Sequence, residues 1–127
     1  MTATLEHVNL TVSDPEAFAE KLCELFDWKI RWKGPAIAEG FSVHVGGPET
    51  YLAVYSGPNG IAEPGGSSYA TRGGLNHVGF VVDDLDAMEE RVRAAGFTPR
   101  SHADYEPGRR FYFDGPEGVE FELVSYA

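Results

Sequence analysis

Leu75-Asn76-His77-Val78-Gly79-Phe80-Val81-Val82-Asp83-Asp84 restates, seventy positions on, Leu5-Glu6-His7-Val8-Asn9-Leu10-Thr11-Val12-Ser13-Asp14. Leu, His, Val, Val and Asp recur at matching places, and Leu10 meets the apolar Phe80. Beyond the aspartate, Ala17 matches Ala87, Glu20 matches Glu90 and Lys21 matches Arg91. A repeat of this spacing implies two similar supersecondary units in one chain.

Each copy opens as a strand, since Val8, Leu10 and Val12 alternate with Asn9 and Thr11. Asp14-Pro15 then reads as a helix cap followed by proline at the first helical position. Phe18, Leu22, Leu25 and Phe26 make an apolar stripe that packs a helix on a sheet. In the second copy Asp84 is the cap, and Leu85, Met88, Val92 and Ala95 are the stripe. Gly96 sits where a helix end favours a left-handed residue. Three strands are expected after each helix, at about 28–32, 40–45 and 50–55, then at about 98–103, 109–113 and 119–126. Lys33-Gly34-Pro35, Gly46-Gly47-Pro48 and Gly115-Pro116-Glu117-Gly118 mark turns between them.

The expected class is α+β: two tandem βαβββ modules forming one curved mixed sheet around a cavity, with helices on the outer face. A single domain covers residues 1–127, with module 1 at about 1–56 and module 2 at about 75–127. The Gly-, Pro- and Ser-rich connector between them, about 57–74, is long enough for a lid or a domain-swap hinge.

With 43% hydrophobic residues and eight Phe in 127, the chain can bury a core without cross-links. The single cysteine, Cys23, excludes an intrachain disulfide framework and suits a reducing compartment. It lies in an amphipathic segment, where a small core residue is the ordinary reading. No apolar run approaches the roughly 18–20 residues that span a bilayer. Residues 1–6 lack the basic-then-apolar pattern of a signal peptide, so a cytoplasmic protein is expected. A formal charge of −10 argues against nucleic acid or an anionic membrane as partner.

Strand parity selects the candidate site. Val8, Leu10 and Val12 must face the helix, which turns His7, Asn9 and Thr11 to the other side. Val78, Phe80 and Val82 likewise leave His77, Gly79 and Val81 there. On the last strand Phe121 and Leu123 face the core, so Glu120, Glu122 and Val124 lie opposite. If the modules pair pseudo-symmetrically, His7, His77 and a glutamate can converge. Two imidazoles and one carboxylate form a facial set that leaves positions open on a first-row divalent ion. Such a site suits an anionic or chelating oxygen ligand. Parity alone does not choose between Glu120 and Glu122.

The sequence here resembles the vicinal oxygen chelate superfamily of glyoxalases, extradiol dioxygenases, metal-dependent epimerases and bleomycin- and fosfomycin-resistance proteins. The resemblance spans nearly the whole chain. It is carried by His7–Val12, by His77–Asp84 and by Gly115-Pro116-Glu117-Gly118-Val119-Glu120-Phe121-Glu122-Leu123. The last is similar to the family's Asp-Pro-Asp-Gly-Asn turn before a ligand-bearing strand, and that register implies Glu122 as ligand. Gly115 and Val119 depart from the pattern at turn positions. The resemblance further implies a homodimer with strands or modules exchanged, a small-molecule substrate and a divalent metal ion.

A fourth family ligand, usually Glu or Gln in glyoxalase I and the epimerases, falls on Ala53 here, which cannot bind metal. Oxygenase chemistry is therefore placed ahead of isomerase chemistry. Extradiol dioxygenases resemble this chain in a Tyr ten residues before the ligand Glu, the position of Tyr112. Under that reading the ion is Fe(II), with Mn, Ni or Zn as alternatives. Tyr112 donates a hydrogen bond to substrate and His102, slightly too far upstream for the pattern, moves protons. Strand packing and an exposed loop position are the ordinary alternatives for these two. Tyr51 and Tyr55 share a face with Ala53 and are expected to contact substrate, as is Arg110, of the same parity as Tyr112. The competing function is a metal-free, drug-sequestering protein of the bleomycin-resistance type. Fosfomycin-type members usually show Lys/Arg and Ser/Thr phosphate contacts that the motifs here do not supply.

Overall fold

In the computed structural model, which describes residues 1–106 and 108–127, the repeated stretch forms a strand in each half of the chain. Strand β1 (His7–Thr11) half-buries Val8 and Leu10 and exposes His7, Asn9 and Thr11. The expected parity is present. An aspartate ends this strand region and starts the helix α1 (Pro15–Phe26): its carboxylate accepts from the Ala17 amide at 3.1 Å. That bond satisfies an amide with no partner inside the helix. Asp27, in the left-handed conformation at φ 56°, closes α1 with its amide on the Cys23 carbonyl.

α1 buries Phe18, Ala19, Leu22 and Leu25 and packs mainly on β3 (Phe41–Gly46) and β4 (Tyr51–Ser56). The edge strand β2 (Lys29–Pro35) completes a mixed sheet of order β1-β4-β3-β2, in which only β1 and β4 run parallel. Lys33-Gly34-Pro35, expected as a turn, lies inside β2, where Pro35 pairs with Phe41 at the strand's end. An edge strand tolerates a residue without an amide proton. The turn comes later, over residues 36–40, closed by the Ala36 amide on the Gly40 carbonyl at 2.9 Å.

The second half repeats the plan. β5 (Val78–Val81) is followed by the Asp84 cap, which accepts from Ala87 at 3.0 Å, and by α2 (Leu85–Ala94). Gly96, at φ 95°, ends that helix; its amide reaches the Arg93 carbonyl and the Phe97 amide reaches Val92, at 3.0 and 3.1 Å. This is the paired-bond ending that favours glycine. β6 (Arg100–Tyr105), β7 (Gly108–Asp114) and β8 (Glu120–Ser125) complete a sheet of order β5-β8-β7-β6. Phe111, Phe113, Phe121 and Leu123 are fully buried, and each such side chain contributes about 1.5–3 kcal/mol of burial.

The α+β class and the tandem βαβββ modules are therefore as expected, but the strands are hydrogen-bonded as two four-stranded sheets, where one curved sheet had been expected. The chain divides into Met1–Glu63 and Pro64–Ala127, so the second half of the connector belongs to the second unit. Among the described residues no helix is long and apolar enough to cross a membrane.

Candidate metal centre

The turn from β7 to β8 sets the register of the second unit's site. The Gly115 amide bonds the Val119 carbonyl at 2.8 Å, and Glu117 and Gly118 both take positive φ. A β-carbon at Gly115 would meet the Phe121 ring at 2.6 Å, so a buried aromatic occupies the room that a side chain here would need. With the turn fixed, Glu122 stands opposite Tyr112 on one side and Gly79 on the other.

His77 Nε2 lies 3.1 Å from Glu122 Oε1. Two ligands each about 2.1 Å from an ion and about 90° apart lie roughly 3.0 Å from one another. The pair is spaced as cis ligands would be, and equally as an imidazole N–H donating to a carboxylate oxygen. The other Glu122 oxygen accepts from Arg110 Nη1 at 2.8 Å, and both side chains are nearly buried, at 11% and 12% exposure. Arg110 also donates to the Gly108 carbonyl and stacks over Tyr105 at 4.5 Å. Tyr112 meets the His77 ring edge-on at 5.4 Å. Burial, followed by the charge of Glu122, raises its hydroxyl pKa, so the phenol keeps its proton.

His77 Nδ1 is held from the opposite direction. The Tyr69 hydroxyl lies 3.2 Å from it and donates a short hydrogen bond to Glu120 Oε1, which is itself 3.5 Å from Nδ1. The bond to Glu120 pushes the Tyr69 hydroxyl up to about 12. Burial alone would raise Glu120, but Tyr69 and Arg100 outweigh it and hold its carboxyl below the ordinary value. Glu120 and Glu122 thus share a face, as parity requires, and address different nitrogens of one imidazole.

In the first unit His7 has a similar arrangement. Its Nδ1 bonds Glu6 at 2.9 Å, and Glu6 also accepts from the Tyr51 hydroxyl at 3.1 Å. The His7 bond is the main reason that the Glu6 carboxyl is held low. Tyr51 stacks on His7 at 5.0 Å and on His44 at 4.6 Å, and Trp32 tilts against His44 at 4.9 Å. Arg31 lies over Tyr51 at 4.6 Å. Ala53, opposite Asn9 and His44, offers only a methyl group beside this aromatic row. Burial lowers the pKa of His44, favouring its neutral form. Tyr55 lies apart from the row, with its hydroxyl on the Ile37 carbonyl at 2.8 Å.

Of the residues expected at the site, His77, Glu122, Tyr112 and Arg110 gather in the second unit, and His7 and Tyr51 in the first. His102 does not join them. The register of β6 against β7 slips between Arg100 and Ala103, and Ser101 takes φ 56°. This bulge places His102 on the Phe111 side, stacked on that ring at 5.9 Å and bonded to Glu89 of α2 at 2.6 Å. The proposed proton carrier therefore belongs to the helix-bearing face. Arg110, expected to contact substrate, is engaged with Glu122. Within either unit, among the described residues, no three His, Cys, Asp or Glu side chains form a group able to hold an ion. Sequence reading missed Tyr69, Glu6 and Arg100. The one signal for Tyr69 was its place after Ser67, which caps the short turn 68–70.

The sequence profile of the Glyoxalase/Bleomycin resistance protein/Dioxygenase superfamily matches residues 4–123. No curated protein matches the sequence. Among solved structures, the chain is similar to a glyoxylase/bleomycin resistance protein/dioxygenase domain from Frankia sp. EAN1pec, with TM-score 0.82, 23% identity and coverage of 98% of this chain and 93% of that one. TnmS3, an antibiotic binding protein from Streptomyces sp. CB03234, gives 0.77 at 18% identity, covering 99% and 98%. A variant of the fosfomycin resistance protein FosX from Listeria monocytogenes, complexed with Mn(II) and a dihydroxypropylphosphonic acid, gives 0.71 at 19% identity, covering 98% and 93%.

Proposed function

Because the chain belongs to the Glyoxalase/Bleomycin resistance protein/Dioxygenase superfamily, we propose that it is a divalent-metal-dependent enzyme acting on a small substrate with neighbouring oxygens. His7, His77 and Glu122 are the ligands in this reading. The observation that carries it is the 3.1 Å separation of His77 Nε2 from Glu122 Oε1, with Nδ1 already faced by acceptors. A bound ion would supply Lewis acidity and open positions for the oxygen pair. In this reading Tyr112, whose hydroxyl is hydrogen-bonded to Glu122, would turn to donate to a substrate oxygen. Arg110 restrains Glu122 and leaves it one oxygen to share. The row of His7, Tyr51, His44 and Trp32 supports a flat, aromatic substrate.

Oxygenase chemistry is preferred to isomerisation, because Ala53 cannot be the carboxylate base that a glyoxalase-type reaction needs. Fe(II) is the corresponding ion, with Mn, Ni or Zn as alternatives. A homodimer and a cytoplasmic setting complete the reading. The test is oxygen uptake by Fe(II)-loaded protein against a panel of catechols. Uptake is expected, and Tyr112→Phe should lower kcat by about 100-fold.

The bond from Arg110 to Glu122 supports a second reading, in which a guanidinium stands in the cation's place and the protein sequesters a drug without metal. Absence of uptake, together with quenching of Trp fluorescence by bleomycin in metal-free protein, would favour that reading.

A further inference from the structure

Among the described residues, the Ser42 hydroxyl is the one buried side-chain polar atom without a hydrogen-bond partner. The residue is 4% exposed. Val43 and Val45, on either side of His44 in β3, are fully buried in the layer that α1 covers. Alternation along the strand therefore turns Ser42 and His44 to the other face of the sheet, the face of Tyr51 and Ala53. A hydroxyl donates one hydrogen bond and accepts two, and burying it with none made is costly. Such a group calls for a partner from outside the chain.

The register shows what surrounds it. Ser42 stands between Gly34 of β2 and Tyr55 of β4, and Thr11 of β1 completes that row. The next row is Trp32, His44, Ala53 and Asn9. Three neighbouring strands thus present a hydrogen atom, a hydroxymethyl and a methyl group, with rings standing around them. A β-carbon at Gly34 would meet the Trp32 indole at 2.8 Å, so the indole lies over that glycine. Tyr55 is clipped by its hydroxyl to the Ile37 carbonyl at 2.8 Å, on a turn where Ala38 and Glu39 both take positive φ. Trp32, by contrast, is 48% exposed and tilts against His44 at 4.9 Å. The indole is the wall that can swing. Neither row carries Asp, Glu, Lys or Arg, so a charged group brought to Ser42 would be buried without a counter-charge there.

We propose that Ser42 is a specificity-determining residue: its hydroxyl pairs with an uncharged hydroxyl or carbonyl group on an aromatic ligand that displaces the Trp32 indole and stacks beside His44. This rests on the flat aromatic ligand of the reading above and needs no metal ion. No step of chemistry is assigned to Ser42; its effect is on which rings the first unit accepts.

The test uses two probes that differ by one hydroxyl, p-cresol and toluene, on the full, metal-free chain. Protein labelled with 15N-tryptophan reports binding through the Trp32 indole N–H signal, assigned by its loss in Trp32→Phe. Both probes are expected to move that signal in the unmutated protein. Ser42→Ala is expected to weaken p-cresol by about tenfold and to leave toluene unchanged. Its Tm should equal or exceed the parent's, because an unpaired buried hydroxyl has been removed. If the hydroxyl serves only an internal water, Ser42→Ala will lower Tm and leave the ratio of the two affinities unchanged, which would overturn the proposal. Equal weakening of both probes, or of neither, would overturn the role of Ser42 while the aromatic ligand stands. Binding of neither probe by the unmutated protein would overturn both, and oxygen uptake with Fe(II) would still test the metal centre separately.

Discussion

Glu122 is shared between an imidazole and a guanidinium, and the balance between them decides what its carboxylate can do. Arg110 neutralises it at 2.8 Å in a nearly buried setting, where removing one partner leaves the other charge uncompensated. Arg110→Met should therefore melt below the parent without metal. Saturating Mn(II) should raise its Tm by more than it raises the parent's, because an ion replaces the lost positive charge. Thermal scans with and without Mn(II) check this, and equal metal-induced shifts would contradict it. The pairing was only partly legible in the sequence. Parity placed Arg110, Tyr112 and Glu122 on one face, because period two is a property of the strand itself. It could not say that Arg110 would turn to Glu122 rather than to a ligand, since that depends on side-chain rotamers and on the Tyr105 ring beneath it.

At the scale of elements, the aspartate caps and the glycine ending of α2 were readable, because each satisfies backbone groups that the helix itself cannot. The bulge in β6 was not. It hangs on a positive φ at Ser101, a residue type with no strong preference for it, and one extra residue sends His102 to the opposite face. The turn assigned to Lys33-Gly34-Pro35 failed for a related reason: proline is compatible with the end of an edge strand as well as with a turn. α1 supplies a pH-dependent test. Partial burial, followed by the charge of Glu20, raises the Cys23 thiol above its ordinary 9.0. The thiol form is the one the fold favours, so this contribution to stability is complete below pH 9.0 and is lost as pH rises through the folded value. Alkylation by iodoacetamide should accordingly set in at higher pH for the folded protein than for the urea-unfolded chain. Equal pH profiles for the two states would contradict a raised, half-buried thiol.

For the whole molecule, duplication explains why one repeated stretch foretold so much. Two copies of strand, capped helix and three further strands give each unit a sheet with a histidine at the start of its first strand region and that histidine's Nδ1 on a local acceptor. The units differ in what accompanies the histidine. The first has Ala53 and an aromatic row, and the second has Glu122, Arg110 and Tyr112. An acidic chain with formal charge −10 adds long-range attraction for a cation, which salt would screen. The most direct measurement is an anaerobic titration of metal-stripped protein with Fe(II), Mn(II), Ni(II) and Zn(II), beside His7→Ala and Glu122→Ala. One ion per chain, bound at least about tenfold more weakly by each variant, is the expected result. No binding by the unmutated protein, or binding that neither substitution weakens, would contradict a metal centre built on these residues.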